Sequence, residues 1–253
     1  MSEHVRVDRQ DGRLAITLAR PERRNAITVA MYSALAEAVE SAGRDESLRL
    51  ITLQGEGQDF TAGNDLADFL AAMPRDSSDI PVWRFLRAMA RNPVPIVAAV
   101  HGNAVGIGTT MLFHCDLVIA EEATRFSMPF VDLGLVPEAA SSLLLPRLAG
   151  RRRAARHLLL AEPFGPEDAL AFGLVSHIAQ QGKLQQTLER VVDAILAKPA
   201  EALRLTQRLL RRVGTDEVLE RMELENDHFS ERLDSDEVRA AITSFFASRA
   251  KTA

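Results

Sequence analysis

Pro95-Ile96-Val97-Ala98-Ala99-Val100-His101-Gly102-Asn103-Ala104-Val105-Gly106-Ile107-Gly108 is the stretch whose reading decides the fold. Its first six residues form an unbroken apolar run, as expected of a strand in a sheet covered on both faces. Three glycines follow, and then an apolar, helix-like stretch from Thr109 to Phe113. Glycine allows backbone conformations that other residues avoid, so such a turn can expose N–H groups. A second turn of the same kind, Phe60-Thr61-Ala62-Gly63-Asn64-Asp65-Leu66, follows the apolar Leu50-Ile51-Thr52-Leu53. Two such turns meeting at one place would offer two backbone donors to an oxyanion, which points to chemistry on a carbonyl. Each turn read alone is equally compatible with a tight joint that holds no ligand. Gly106-Ile107-Gly108 is not a dinucleotide fingerprint, because position 111 is Met, and no Lys-Ser/Thr follows to make a phosphate loop.

The pattern around these turns alternates strands and helices. Strands are predicted over Leu14–Leu18, Leu48–Leu53, Pro95–Val100 and Asp116–Ala120. Helices are predicted over Thr28–Ala42, with Thr28 as N-cap and Gly43 as stop, and over Pro81–Arg91, ended by Asn92-Pro93. Such alternation implies right-handed crossovers and an α/β layered core. Met73 to Ile80 has the composition of a mobile loop. The second half reads as helices over Glu138–Leu148, Arg151–Leu160, Pro166–Phe172, Lys183–Ala197, Pro199–Val213, Asp216–Ser230 and Asp236–Ser248, with a short strand over Leu174–Ile178. The expected layout is an α/β core over residues 1–198 and a C-terminal helical region over 199–253. That region is too thin to bury its apolar faces alone, so it should pack on the core or on a neighbouring subunit.

The 253 residues carry a net charge of −5, which argues against a nucleic-acid binder that works through bulk charge. The single cysteine, Cys115, excludes internal disulfides and a cysteine-built metal site and suits a reducing cytoplasm. The N-terminus lacks the apolar core of a signal peptide. No apolar run approaches the roughly 20 residues needed to span a bilayer.

Several motifs in order resemble the crotonase (enoyl-CoA hydratase/isomerase) superfamily. Arg20-Pro21-Glu22-Arg23-Arg24-Asn25-Ala26-Ile27 is similar to that family's opening, and the two glycine-bearing turns match its F-x-A-G-x-D-L and P-x-[IV]-A-A-[VI]-x-G-x-[AC]-x-G-x-G segments. Cys115-Asp116, Phe126, Leu133-Gly134-Leu135-Val136-Pro137 and Ala171-Phe172-Gly173-Leu174-Val175 fit later signatures. The resemblance runs from about residue 5 to the C-terminus. It implies a spiral of ββα units with a helical C-terminal region, assembly as a homotrimer or a dimer of trimers, and an acyl-CoA thioester as ligand. No separate cofactor is implied, since coenzyme A is part of the substrate, and no nucleic-acid or membrane partner.

By the same resemblance, the N–H groups of Asn64 and Ile107 hold the thioester oxygen. Two preorganised donors favour the charge that develops on it in the transition state. The helix beginning near Gly108 would add its positive end. Ile107 stands where the family usually has glycine, which is expected to narrow the pocket or tilt the donor. Substrate contacts fall on Arg24, Ala26, Ala62, Asp65, Leu66, Gly108, Pro129, Phe130 and Leu133. Hydratases of the family use two glutamates, and the corresponding places hold Thr110 and Phe130, neither of which is a general base near neutral pH.

A third family position keeps an acid. Glu138 matches the site of the single base in some family isomerases and of the nucleophilic aspartate in the related dehalogenase. Phe130, Leu133 and Leu143 are expected to desolvate it and raise its pKa. Read locally, Glu138 is equally a first-turn helix glutamate after an N1 proline. Asp132, the nearest competing acid, has the spacing of an outward position. The leading expectation is therefore a Δ3–Δ2 enoyl-CoA isomerase with Glu138 as base. The alternatives are a hydratase with atypical residues, a hydrolase or dehalogenase with covalent chemistry at Glu138, and a non-catalytic acyl-CoA-binding protein. Arg23 and Arg24 are candidates for the CoA phosphates, Phe245 and Phe246 for the acyl pocket, and Cys115 for inert core.

Overall fold

The computed structural model describes residues 2–68, 80–211 and 214–250, with side chains described through residue 244. The loop expected over 73–80 lies outside the described residues apart from Ile80, as do the side chains of Phe245 and Phe246.

Six strands form the main sheet: β1 (Val5–Gln10), β2 (Arg13–Leu18), β3 (Leu50–Gly55), β4 (Ile96–Val100), β6 (Leu117–Glu121) and β8 (His177–Ala179). They lie in the order β1-β2-β3-β4-β6-β8, between β4 and β6 in sequence coming the short β5 (Asn103–Val105). β1 pairs antiparallel with β2 through the Asp11-Gly12 turn, and every later pairing is parallel. The register sets Ile16 beside Leu53, Leu53 beside Ala98 and Ala98 beside Val118.

β4 is buried on both faces, as its continuous apolar run requires. Ile96, Ala98 and Val100 enter the main core, which takes in α1 (Val29–Arg44) and α2 (Pro81–Arg91). Val97 and Ala99 enter a second core with Leu188, Val191 and Val192 of α7 (Leu184–Leu196). The sheet is thus covered by α1 and α2 on one side and α7 on the other.

β5 pairs in parallel with β7 (Arg125–Ser127) in a second, smaller sheet. Single bridges Thr61↔Ala104 and Phe126↔Phe164 extend it on both sides. Successive turns of the chain therefore stack in two layers, and the expected α/β architecture with a helical C-terminal region is observed.

Some boundaries differ from the sequence reading. α1 is capped by Thr28, whose side chain accepts the Met31 N–H at 3.2 Å, but it runs through Gly43 to Arg44. A Cβ at Gly43 would lie 3.2 Å from Pro93 Cδ, so the glycine allows close passage rather than stopping the helix. The helix expected from Glu138 starts at Ser141 as α4 (Ser141–Ala149). Ala139 and Ala140 have φ of 60° and 56°, which breaks the helical path and leaves Glu138 on the preceding loop. The strand expected over Leu174–Ile178 is β8, displaced toward the C-terminus. β1 escaped the sequence reading because only Val5 of its six residues is buried.

After α5 (Arg151–Leu159) and α6 (Pro166–Ala171), the chain enters β8 and α7. α8 (Ala200–Arg211) is tied to the core by Arg211, which reaches Asp116 at 3.0 Å and the carbonyls of Met89 and His114. α9 (Thr215–Leu233) packs back on α2, where Phe229 meets Trp83 edge-on at 6.0 Å. α10 (Asp236–Ala250) follows.

Candidate active site

The first glycine-bearing turn is built around Asn25. Its side chain is wholly buried, and its Nδ2 donates to the carbonyls of Glu56 and Asp59 at 2.8 Å each. Its Oδ1 accepts the Arg20 N–H at 2.9 Å. The Ile27 N–H donates to Gly63 O at 2.8 Å and the Asp65 N–H to Ile27 O at 2.9 Å, which lays residues 63–65 along residue 27. In the second turn the Gly106 N–H donates to Ser127 O, and Thr109 Oγ1 donates to Ala104 O at 2.6 Å.

The two turns touch. The Val105 N–H donates to Thr61 O at 3.1 Å, and a Cβ at Gly63 would lie 2.8 Å from Val105 O. A Cβ at Gly108 would lie 2.5 Å from Thr61 Cγ2. Both glycines are demanded by this approach, and Gly63 also by its φ of +88°. Around Asn64 the N–H groups of Ala62, Gly63 and Asp65 are engaged. Among the described residues those of Asn64 and Ile107 donate to no protein acceptor. Such donors can polarise a carbonyl oxygen.

Ile107 is wholly buried, and its side chain belongs to the main core. The helix after it, α3 (Ile107–Thr110), is a single turn that passes into a 3-10 turn over Met111–His114. The positive helix end expected here is correspondingly weak.

Glu138 is 1% exposed. Burial, and then the charge of Glu225, raise its pKa to about 8, while the neighbouring Thr110 hydroxyl pulls the other way. Thr110 Oγ1 and Glu138 Oε1 each lack a hydrogen-bond partner among the described residues, so the Thr110 contact is electrostatic proximity rather than a formed bond. A carboxyl with this environment can accept and return a proton near neutral pH.

Three participants escaped the sequence reading. Tyr32 of α1 is 1% exposed, and its hydroxyl donates to Asn64 Oδ1. Burial and then the charge of Glu138 raise the Tyr32 pKa. His114 Nε2 bonds Ala139 O at 2.8 Å, and burial lowers its pKa to about 4, so it is a neutral donor. Glu225 of α9 accepts the N–H groups of Ala140 and Ser142. A tyrosine inside an amphipathic helix and a glutamate in a charged one carry no signal of their own in the chain.

The remaining expected contacts divide. Arg24 is exposed, with Nε 3.7 Å from Asp59 Oδ2. Ala26 and Ala62 are half-buried beside it, and the Ala62 N–H donates to Arg24 O at 2.9 Å. Asp65 is engaged internally: burial opposes its ionisation, but Arg20 at 2.7 Å and backbone donors hold it below the usual carboxylate range. Leu66, Pro129 and Leu133 are half-buried, Gly108 and Phe130 buried. Asp132 is exposed, as its spacing suggested; Cys115 is half-buried against the main core, and burial pushes its thiol far up.

Comparison with known proteins agrees with this architecture along nearly the whole chain. The family model for enoyl-CoA hydratase/isomerase matches residues 8–252. The 1,2-epoxyphenylacetyl-CoA isomerase of Escherichia coli (strain K12) is 31% identical, covering 98% of this chain and 97% of that protein. The enoyl-CoA delta isomerase 2 of Rattus norvegicus is 30% identical over 99% of this chain, which spans 65% of the rat protein. An enoyl-CoA hydratase/isomerase structure from Pseudoalteromonas atlantica T6c superposes with a TM-score of 0.92 at 36% identity, covering 97% of this chain and 98% of that one. With the two touching turns and the fold in register with these relatives, the chain belongs to the enoyl-CoA hydratase/isomerase family.

Proposed function

We propose that the protein is an acyl-CoA double-bond isomerase that converts a 3-enoyl-CoA to the 2-enoyl-CoA. The Asn64 and Ile107 N–H groups hold the thioester oxygen. Glu138 removes a proton from C2, the electrons move onto the oxygen as an enolate, and the same carboxyl returns the proton at C4 while the double bond settles between C2 and C3. Only one acid is required, and no water is activated.

The observation that carries this reading is Glu138: a buried carboxyl poised near neutrality, with Thr110 and Phe130 standing where hydration would need carboxylates. Relatives named 1,2-epoxyphenylacetyl-CoA isomerase and enoyl-CoA delta isomerase 2 support an isomerase. Arg24 is assigned to the CoA phosphates, and Ala26, Ala62, Leu66, Gly108, Pro129, Phe130 and Leu133 to the rest of the substrate path, with Asp65 bracing that path through Arg20. No cofactor beyond substrate CoA is assigned. Leu205, Leu209 and Leu210 of α8 are 48%, 68% and 71% exposed, which supports burial in a homotrimer or a dimer of trimers. Among the described residues no helix is long and apolar enough to cross a membrane; a cytoplasmic location is proposed with this.

The test is turnover of a 3-enoyl-CoA, read from the conjugated product. Glu138→Gln should lose it while still binding the CoA ester. Full activity in that variant sinks the assignment, and water addition to a 2-enoyl-CoA would move it to the hydratases.

A further inference from the structure

The turn that carries Glu138 is held from the C-terminal helices. Glu225, on α9, is 5% exposed. Its Oε2 accepts the Ala140 N–H at 2.6 Å and its Oε1 the Ser142 N–H at 2.9 Å. These belong to the start of α4, which has no capping side chain of its own. Glu225 therefore caps α4 from another element. It does so at two consecutive alanines held in the left-handed region, a conformation that surrounding structure has to impose. His114 Nε2 bonds the Ala139 carbonyl of the same turn.

The same contacts decide where charge resides. Both oxygens of Glu225 are occupied by N–H donors, and Arg221, which donates to Ser142 Oγ at 3.2 Å, also favours the ionised form. Burial is the largest effect and leaves the Glu225 pKa raised in spite of these donors. Glu138 Oε1 has no donor at all among the described residues. Of two carboxyls close enough to feel each other, the one with donors ionises first.

We propose that Glu225 is a positioning residue for the base: it clamps the 138–142 turn to α9 and, ionising first of the pair, sets by its charge the pH above which Glu138 becomes the free base. The proposal rests on the reading of Glu138 as the base. The other groups brought to Glu138 do not supply that charge. Tyr32 from α1 is kept neutral by burial, Thr110 from α3 does not titrate, His114 from the 3-10 turn is neutral, and Arg221 from α9 is a cation that acts on Glu225. Docking of α9 thereby becomes part of preparing the active site.

The experiment is the pH profile of kcat for Glu225→Gln in the full chain, with a 3-enoyl-CoA as substrate. Removing a nearby like charge should move the rising limb toward acid by roughly one unit or more. Loss of a cap alone would lower the rate and leave the limb in place, so an unmoved limb overturns the proposal while an inactive Glu138→Gln keeps the base reading. An active Glu138→Gln overturns both. A second measurement does not depend on the variant at 225 folding. Infrared spectra of the wild-type protein at neutral pH should contain a protonated-carboxyl band that Glu138→Gln removes. Absence of that band overturns the proposal.

Discussion

Thr61 and Ala104 pair in a single parallel bridge, and three residues beyond each lies an N–H that donates to no protein acceptor among the described residues, on Asn64 and Ile107. The donors occupy equivalent places on adjacent turns of the chain, and the pairing of the second layer sets their relation. Backbone pairing positions a site more firmly than two independent loops could.

Gly63→Ala tests this relation. The added methyl would lie 2.8 Å from Val105 O, at a φ of +88° that alanine disfavours. Strain of this kind costs of order 1–3 kcal/mol. It also separates the two donors, and loss of one oxyanion donor lowers kcat by roughly a hundredfold or more. The expected result is a lower melting temperature together with a fall in turnover well beyond the loss of folded protein. Unchanged turnover in the folded fraction would disconnect the turn contact from catalysis.

Tyr32→Phe separates positioning from packing. The ring is wholly buried and lies 6.0 Å from Phe85, and phenylalanine keeps that contact. What goes is the hydroxyl that donates to Asn64 Oδ1. A hydrogen bond of this kind contributes about 1 kcal/mol to stability. If the bond fixes the Asn64 peptide, kcat falls while KM for the CoA ester stays near its wild-type value. A change confined to KM would assign Tyr32 to substrate contact.

The legible part of this molecule was the part written in main-chain demands. Gly63, Gly106 and Gly108 announced the turns because a Cβ or a negative φ would not fit there, and the apolar run through β4 announced a doubly covered strand. Thr28 and Pro81 marked the starts of α1 and α2 for equally local reasons. What could not be read was long-range. Ala139 and Ala140 are good helix formers, and their left-handed φ is imposed by Glu225, 85 residues away, and by His114. Glu138 consequently read as a helical residue, although its place before α4 is what presents it to Thr110. β5 and β7 are three residues each, too short for any periodic signal.

Thr110→Val examines the neighbour that stands in the first hydratase position. Valine keeps the shape and removes the hydroxyl that pulls the Glu138 pKa down. The ionised carboxyl is then less favoured, so the rising limb of the kcat profile should move toward alkali. This is opposite in sign to the shift expected for Glu225→Gln. An acidward shift would show that the hydroxyl stabilises the protonated form.

The raised Glu138 pKa also makes a statement about stability. The carboxyl titrates near its ordinary value of 4.5 in the unfolded chain and at about 8 in the folded one. Between these values the native state holds a proton that the unfolded state has released. Stability contributed by this group therefore falls as pH rises from 4.5 to about 8 and is level above that. Glutamine keeps the shape, has no proton to lose and escapes the penalty. Glu138→Gln should consequently melt higher than the wild-type protein at pH 8, with the advantage shrinking steadily as the pH is lowered toward 4.5. Melting curves of the two proteins across that range measure it directly. A pH-independent difference would mean that Glu138 titrates alike in the folded and unfolded chains.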